Sequence, residues 1–296
     1  MLPLATHPRL SSSPTRRVLS VLAMTMALGL LLSGGLAVSA QVASQDVEFD
    51  FTFDTDVEGW TAGFADLPAD YHQATYELDS EHRALPPGLE GSGIYIQGHN
   101  RSDDLFMYLK RQVNGLEPET QYLATITIYL ATNVPEGLVG IGGSPGESVY
   151  VKAGATAIEP VVATDESGHL RVNIDKGNQA GEGKDMLKLG NVAHPEVTGD
   201  EYRIKTLDNP DRPLEVTTDQ DGRVWLVVGT DSGFEGLSSI YYARISYVFS
   251  IIEEAAPVPP SVGDWAVSNR LLATAAALGG LLFVSGMTVL ARLQRN

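Results

Sequence analysis

The sequence predicts an all-β protein, an antiparallel β-sandwich, followed by a single transmembrane helix. Three observations predict this class. Short runs rich in β-branched and aromatic residues recur from residue 47 to residue 250, separated by glycine, proline and asparagine turns. No run between those positions has convincing helical periodicity. Near the C-terminus, 271–290 contains no charged residue.

The first 40 residues have the order of a secretory signal. Three arginines precede an apolar run, 18–32, and this part of the chain contains no acid. Small residues then lead to Ala40, after which we expect a signal peptidase to cleave. We therefore assign 1–40 to a signal peptide, with an uncleaved N-terminal anchor as the alternative.

The C-terminal segment, 271–291, is predicted to be a transmembrane helix. Its uncharged part would be about 30 Å long as a helix, the thickness of the hydrocarbon core. Arginines follow it in the short tail, 292–296. Under the positive-inside rule this tail is cytoplasmic and the N-terminal domain lies outside, so we expect an exported, single-pass membrane protein.

A linker, 255–270, precedes this helix and contains Pro257-Val258-Pro259-Pro260-Ser261. A proline motif, an apolar helix and a basic tip together resemble the tripartite C-terminal sorting tails of bacterial surface proteins. The resemblance implies a surface protein held in the membrane by its C-terminus. Whether the anchor is processed after export stays open.

The ectodomain, 41–254, is strongly acidic. It contains 20 − 6 = 14 basic and 37 − 1 = 36 acidic residues, which gives a net charge of −22. Such a surface repels nucleic acid, which we exclude as a partner. The chain has no cysteine, so neither disulfides nor a lipoprotein anchor is available, and the ectodomain has the character of a bacterial one.

The first strand is the clearest, because Val47, Phe49, Phe51 and Phe53 alternate with polar residues. Further strands are predicted at 74–78, 93–97, 105–113, 121–131, 138–141, 148–152, 170–174, 202–206, 223–229 and 239–250. Loops are expected at 153–160 and 177–195. Many short strands joined by turns are typical of a sandwich or a barrel.

Two segments resemble jelly-roll carbohydrate-binding modules of the galactose-binding-like kind. Phe53-Asp54-Thr55-Asp56-Val57-Glu58-Gly59-Trp60 is similar to their opening, and the segment 113–122, Val-Asn-Gly-Leu-Glu-Pro-Glu-Thr-Gln-Tyr, is similar to their central strand. In the second segment Pro118 fixes a corner, and the Tyr122 hydroxyl can bond the backbone upstream. The resemblance implies a jelly-roll-like sandwich and an extracellular glycan as a possible partner.

Four aromatic residues are candidates for stacking on a sugar, because the C–H faces of a pyranose pack on flat rings. They are Trp60, Phe64, Tyr71 and Tyr95. Trp60 is the strongest candidate, since it follows Gly59 in a stretch typical of an exposed loop. Trp225, by contrast, lies in an apolar run and is expected in the core.

Acid-rich loops are candidates for structural calcium, the only cofactor that the sequence suggests. Calcium takes six to eight oxygen ligands. The candidate ligands are Asp103, Asp104, Asp219, Asp221 and Asp231. None of their loops completes an EF-hand, and Asp221-Gly222 is also typical of a hairpin turn.

No catalytic constellation is evident. Gly142-Gly143-Ser144-Pro145-Gly146 fits the G-x-S-x-G pattern of serine hydrolases, but that elbow needs a helix after the serine. A predicted strand follows here, so we expect a loop. The histidines are scattered, and no zinc-ligand spacing occurs.

These observations favour a non-catalytic, membrane-anchored surface protein that binds glycan or other extracellular material. One alternative is a structural protein of the cell envelope. Another is a glycosidase that uses carboxylates such as Asp103 or Asp231 as its acid–base pair.

Overall fold

The computed structural model describes residues 46–252, which form two antiparallel β-sheets packed face to face and a smaller third sheet. The strands are β1 (Val47–Phe51), β2 (Thr61–Ala65), β3 (Leu67–Pro68), β4 (Asp79–Ala84), β5 (Ser92–His99), β6 (Leu105–Val113), β7 (Gln121–Thr132), β8 (Val149–Thr156), β9 (Val162–Thr164), β10 (His169–Val172), β11 (Met186–Asn191), β12 (Arg203–Asp208), β13 (Leu214–Thr217), β14 (Val224–Ser232) and β15 (Leu237–Ile251). One short helix, α1 (Gln73–Tyr76), precedes β4. The predicted all-β sandwich is confirmed.

The predicted signal peptide, linker, transmembrane helix and tail lie outside the described residues. Within 46–252, no helix has both the length and the apolar character needed to cross a membrane.

The larger sheet has seven strands, in the order β12-β7-β15-β5-β4, with β1 also paired to β15 and β13 also paired to β7. The second sheet has the order β11-β8-β14-β6-β2, and the third has the order β3-β10-β9. All pairings between these strands are antiparallel. β15 and β14 are the central strands, so they carry most of the core.

The core lies between the two large sheets and follows from strand alternation. In β15, Ile240, Tyr242, Ile245, Tyr247 and Phe249 face inward and are fully or almost fully buried. Val224, Leu226 and Val228 of β14 meet them from the other sheet. Because successive side chains of a strand point to opposite faces, the residues between them form the outer faces of the sandwich.

Three side chains connect separate parts of the chain by hydrogen bonds to backbone groups. The Tyr247 hydroxyl of the larger sheet donates to Gly154 O at 2.9 Å and Val227 O at 3.0 Å, both in the second sheet. The Asn209 side chain, between β12 and β13, accepts a bond from Ile126 N at 2.7 Å. The Tyr122 hydroxyl accepts a bond from Glu117 N at 2.9 Å, which confirms the predicted corner.

Two predicted strands are wrong. Within the segment 74–78, residues 74–76 belong to α1, and Glu77 caps this helix in the left-handed region at φ 48°. The segment 138–141 is irregular and projects into solvent, with Val139 95% exposed, so it has no neighbouring strand to pair with. Conversely, β11 lies within the segment 177–195 that was expected to be a loop, because it pairs with the edge of β8.

The segment 157–185 covers the outer face of the second sheet. It contains β9 and β10, and its Ile174 packs with Phe106, Tyr108, Met186 and Val227 in a second hydrophobic cluster. The contact with β8 is close, since a Cβ added to Gly154 would lie 1.8 Å from Asp185 O. We call 157–185 the covering segment. It buries side chains that strand alternation alone would place at the surface.

Candidate functional site

Three tyrosines form a contiguous group on the outer face of the seven-stranded sheet. Tyr241 of β15 lies opposite Tyr95 of β5, and their ring centroids are 4.9 Å apart. Tyr202, just before β12, meets Tyr241 edge-on with centroids 5.6 Å apart. We call Tyr95, Tyr202 and Tyr241 the tyrosine cluster. Tyr202 and Tyr241 are half-buried, so part of each ring faces solvent.

A β-bulge next to this cluster brings Arg244 onto the same face. The register between β15 and β7 shifts between Tyr242 and Arg244, so that Arg244 lies opposite Tyr129. Its guanidinium carbon is 5.5 Å from the Tyr129 ring centroid. The same guanidinium holds Asp50 of β1 through two bonds of 2.7 and 2.9 Å. Bulges redirect side chains in this way.

A second arginine borders the cluster from the other side. Arg83 of β4 lies over the Tyr95 ring, with its guanidinium carbon 3.6 Å from the centroid. It also pairs with the carboxylates of Asp79, at 3.3 Å, and Glu81. Cation–π contacts at such half-exposed sites stabilise by about 0.5–1 kcal/mol each, enough to hold the ring and the guanidinium in fixed positions.

Two clefts open on the molecule beside residues of this face, one at Arg244 and one at Tyr202. One, of about 300 Å³, is lined by Thr52, Asp54, Leu85, Tyr129, Ile204 and Arg244. The other, of about 210 Å³, is lined by Tyr202, Val134, Pro145 and Val192 and by 237–240 of β15. The first cleft combines an aromatic ring and apolar side chains with a carboxylate and a guanidinium. That combination suits a ligand with both C–H faces and hydroxyl groups.

The Tyr202 hydroxyl of this face is uncharged near neutral pH. Burial, followed by the neighbouring Tyr241 and Tyr95, raises the pKa of Tyr202 above its usual value. The hydrogen bond and charge of Asp50 raise the pKa of Arg244, which therefore stays charged. The face thus offers phenol hydroxyls for hydrogen bonding and two arginine side chains, each held by a carboxylate, on an otherwise acidic protein.

The structure separates the four predicted aromatic residues. Trp60 is 2% exposed rather than in an open loop, with its ring edge-on to Phe51 at 5.3 Å. Its Nε1 has no hydrogen-bond partner among residues 46–252. Phe64 packs against the main core, and Tyr71 packs edge-on against Tyr76. The exposure expected of Trp60 is therefore wrong, because Phe51 and the core enclose its ring.

Tyr95 alone of those four lies in the tyrosine cluster, and it is 7% exposed under Arg83. Trp225 was expected in the core, but it is half-buried on the outer face of the second sheet, with Lys110 Nζ 5.1 Å from its ring. Sequence reasoning missed Tyr202 and Tyr241. Strict alternation from the buried Tyr242 could have placed Tyr241 on the outer face.

A buried group of charges lies on the outer face of the second sheet, under the covering segment. Lys152 of β8 and Asp231 of β14 are both completely buried, and Lys152 Nζ is 2.8 Å from Asp231 Oδ2. Lys176 of the covering segment places its Nζ 2.7 Å from both Asp231 Oδ2 and Asp66 Oδ2. We call Asp66, Asp104, Lys152, Lys176 and Asp231 the ionic cluster.

The carboxyl groups of the ionic cluster crowd one another. One oxygen from each of Asp66, Asp104 and Asp231 lies within 4.8 Å of the others. Burial, followed by the charges of Asp231 and Asp66, raises the pKa of Asp104 to about 8. Burial lowers the pKa of Lys152 below its usual value. At neutral pH Asp104 therefore holds a proton, and the Lys152 ammonium is easier to deprotonate than an exposed one.

Four of the five predicted calcium ligands fall into two distant groups. Asp104 and Asp231 come together in the ionic cluster, where Asp66, which the sequence did not suggest, joins them. Asp219 and Asp221 lie at the other end of β14 and pair with Arg223 at 3.0 and 2.5 Å. Two lysine ammonium groups already neutralise Asp231, which leaves little negative charge for a divalent ion.

Asp103 is the remaining predicted ligand. It is exposed at φ 67°, and its carbonyl accepts a bond from Gln179 Nε2 at 2.9 Å. Because Asp231 is fully buried, the two do not face each other across an open cleft as a glycosidase pair must. Calcium binding stays a prediction.

The serine of the G-x-S-x-G pattern lies in a loop, as expected. Ser144 Oγ contacts the Glu147 carboxylate and accepts bonds from Gly146 N and Glu147 N, both at 3.2 Å. These are contacts within a turn, and β8 follows without a helix. The nucleophile elbow is therefore absent at this position.

Comparison with known proteins gives no family. No protein-family profile matches the sequence, and no curated protein matches it. Solved structures do match at low similarity. One is a carbohydrate-binding module described for specific mannan recognition, with 9% identity, 71% of this chain and all of that chain covered, and a TM-score of 0.33.

Two further solved structures are similar. A family 11 carbohydrate-binding module from Clostridium thermocellum, in complex with a β-1,3-1,4-mixed-linked tetrasaccharide, shares 10% identity over 70% of this chain and 98% of the module, with a TM-score of 0.33. The enzymatically active domain of tailspike protein 4 of bacteriophage CBA120 shares 10% identity over 68% of this chain, with a TM-score of 0.31. This chain spans only 20% of the tailspike chain.

Carbohydrate-binding modules, one of them described as belonging to the β-sandwich superfamily, are thus among the solved structures to which this chain is similar.

Proposed function

We propose that this chain is a non-catalytic, membrane-anchored surface protein whose jelly-roll-like sandwich binds glycan through the outer face of its seven-stranded sheet. The observation that carries the proposal is the tyrosine cluster with its two arginine–carboxylate pairs. Tyr202 and Tyr241 present half-buried rings in fixed orientations, 5.6 Å apart, so a sugar would lose little entropy of the protein side chains on binding.

The polar groups beside the rings fit the same ligand class. Sugar hydroxyls need paired donors and acceptors. Arg244 supplies donors next to Tyr129, and Asp54 supplies an acceptor in the same cleft of about 300 Å³. The net negative charge of the ectodomain favours a neutral ligand over an anionic polysaccharide.

The test is a glycan array probed with the fragment 41–254, with and without calcium. We expect saturable binding to a defined sugar and at least a tenfold weaker affinity in Tyr241→Ala and Tyr202→Ala. Trp225→Ala is the matched control, because it removes a half-buried aromatic ring from the opposite outer face. Circular dichroism of each variant establishes that the fold is retained.

Either of two results would reject this site. Folded protein that binds no glycan in either condition would remove the glycan proposal. Binding that survives both tyrosine variants but is lost in Trp225→Ala would move the site to the second sheet.

A structural role in the cell envelope is the second candidate, and one observation favours it. Val139 and Ile141 are 95% and 72% exposed in the loop after β7, an unusual position for two large apolar side chains. A neighbouring copy of this chain could cover them. Sedimentation of the fragment at rising concentration tests this, and association that Val139→Asp abolishes would support it.

A further inference from the structure

The ionic cluster contains an amine and a carboxyl group in a position to react. Lys152 and Asp231 belong to adjacent strands, where Lys152 lies opposite Gly229 and Asp231 lies opposite Tyr150. They are therefore diagonal neighbours on one face of the sheet. Both side chains are completely buried, and Lys152 Nζ is 2.8 Å from Asp231 Oδ2. We propose that they condense to an intramolecular amide bond between Lys152 Nζ and Asp231 Cγ.

The two oxygens of Asp231 are in different surroundings, as such a reaction requires. Oδ2 accepts hydrogen bonds from Lys152 Nζ at 2.8 Å, Lys176 Nζ at 2.7 Å and Gln179 N at 2.8 Å. Oδ1 has no hydrogen-bond partner among residues 46–252. Donors fixed on one oxygen stabilise the negative charge that develops there when an amine attacks the carbon, and the other oxygen is free to leave.

Asp104 is placed to move the protons. Its own Oδ1 also lacks a partner within 46–252, and the carboxyl oxygens of Asp104 and Asp231 approach within 4.8 Å. Two carboxylates at this separation repel each other, which favours a proton on one of them. Asp231 Oδ2 already accepts hydrogen bonds from two ammonium groups and a backbone N–H, which favour its ionised form, so the proton belongs on Asp104. Its side chain is 18% exposed, which connects the cluster to solvent.

The reaction balances without an oxidant or a cofactor. Asp104 first gives its proton to Asp231 Oδ1 and takes one proton from the Lys152 ammonium, which leaves a neutral amine beside a neutral carboxyl group. Nζ then attacks Cγ, and the N–C bond forms. Asp104 then gives a second proton to Oδ1 and takes one of the two protons left on nitrogen, so Asp104 ends unchanged and the amide nitrogen keeps one proton. The C–Oδ1 bond breaks, and one water molecule leaves.

Fixed geometry replaces the activating group that amide formation otherwise needs. Holding two reacting groups in contact raises their effective concentration by many orders of magnitude. Burial under the covering segment also excludes the water that would reverse the reaction. The bond would close a loop across 79 residues and lock β8 to β14, the centre of the second sheet.

Peptide mapping of the full chain after trypsin tests the proposal. Lys152 in an amide is not cleaved, so the bond joins peptide 112–171 to peptide 224–244, with the loss of one water from their summed mass. Without the bond, trypsin releases 112–152, 153–171 and 224–244 separately. Detection of the three separate peptides, with no linked species, overturns the proposal.

Variants then assign the roles. We expect the linked peptide to be lost in Lys152→Met, in Asp231→Ala and in Asp104→Asn. Lys188→Met is the matched control, because Lys188 lies on neighbouring β11 outside the ionic cluster, and the linked peptide must persist there. Circular dichroism of each variant separates loss of the bond from loss of the fold.

Two outcomes would contradict these assignments. A linked peptide that contains 172–184 in place of 112–171 would make Lys176 the nucleophile and overturn the proposed bond. Full linkage in Asp104→Asn would remove Asp104 from the reaction, and with it the proposed proton path.

Discussion

Two tyrosines on the same face of β15 should respond in opposite directions to the same substitution. Tyr242 and Tyr247 are both fully buried in the core. The Tyr247 hydroxyl donates to Gly154 O at 2.9 Å and Val227 O at 3.0 Å. The Tyr242 hydroxyl has no hydrogen-bond partner among residues 46–252. Replacing each by phenylalanine removes one oxygen and leaves the ring in place.

The magnitudes follow from the hydrogen bonds. Tyr247→Phe loses a bond that joins the two sheets and leaves carbonyl oxygens less well paired, so the free energy of unfolding should fall by about 1–2 kcal/mol. Tyr242→Phe removes a buried hydroxyl that makes no hydrogen bond with residues 46–252 in the folded state. Because an unpaired buried polar group costs about 1–3 kcal/mol, and the small void left behind offsets part of the gain, stability should rise by about 1 kcal/mol.

The assay is urea unfolding of the fragment 41–254, followed by circular dichroism. The two variants should differ by about 2–3 kcal/mol, with midpoints on either side of the wild type and unchanged slopes. For a domain of this size, that difference corresponds to about 4–12 °C in the melting temperature. Equal destabilisation by both substitutions would refute the reasoning, because Tyr242 would then have a partner such as a buried water molecule.

Three further predictions use the same unfolding assay. Burial raises the pKa of Tyr247, so its contribution to the free energy of unfolding is complete below pH about 10 and is lost as the pH rises further. The urea midpoint of the wild type should therefore fall above that pH, and the midpoint of Tyr247→Phe should fall less steeply. Asn209→Ala removes the acceptor of Ile126 N and should cost about 2–3 kcal/mol; an unchanged midpoint would mean that water replaces the side chain. Gly154→Ala would place a Cβ 1.8 Å from Asp185 O and should cost about 3 kcal/mol; a neutral result would show that the covering segment does not pack on β8.

The strands that the sequence predicted well are the long central ones. β6 matches its predicted bounds, and β7 and β15 match within two residues, because each is a run of nine or more residues rich in apolar and aromatic side chains. Short edge strands such as β11 were missed. β11 includes Lys188 and Gly190 among its six residues, and both residue types are uncommon in strands. It forms a strand because it pairs with β8. Local sequence does not encode that partner.

The candidate sites were harder to predict than the fold, since each depends on contacts distant in sequence. Trp60 lies next to a glycine, as an exposed loop residue would, yet Phe51 and the core enclose it. Asp66 and Asp231 are 165 positions apart, and Lys176 joins them from the covering segment. Only the general acidity of the loops near Asp104 and Asp231 was visible in the sequence.

The two proposals concern opposite outer faces of the sandwich, so each can fail without the other. The tyrosine cluster lies on the seven-stranded sheet, and the ionic cluster lies on the second sheet beneath the covering segment. Lys152→Met should therefore remove the linked peptide and leave the affinity for glycan unchanged. Tyr241→Ala should weaken glycan binding and leave the linked peptide intact. If Lys152→Met weakened glycan binding in a folded protein, the second sheet would have to contact the sugar or hold the tyrosine face in place, and the division of the molecule into two independent faces would be wrong.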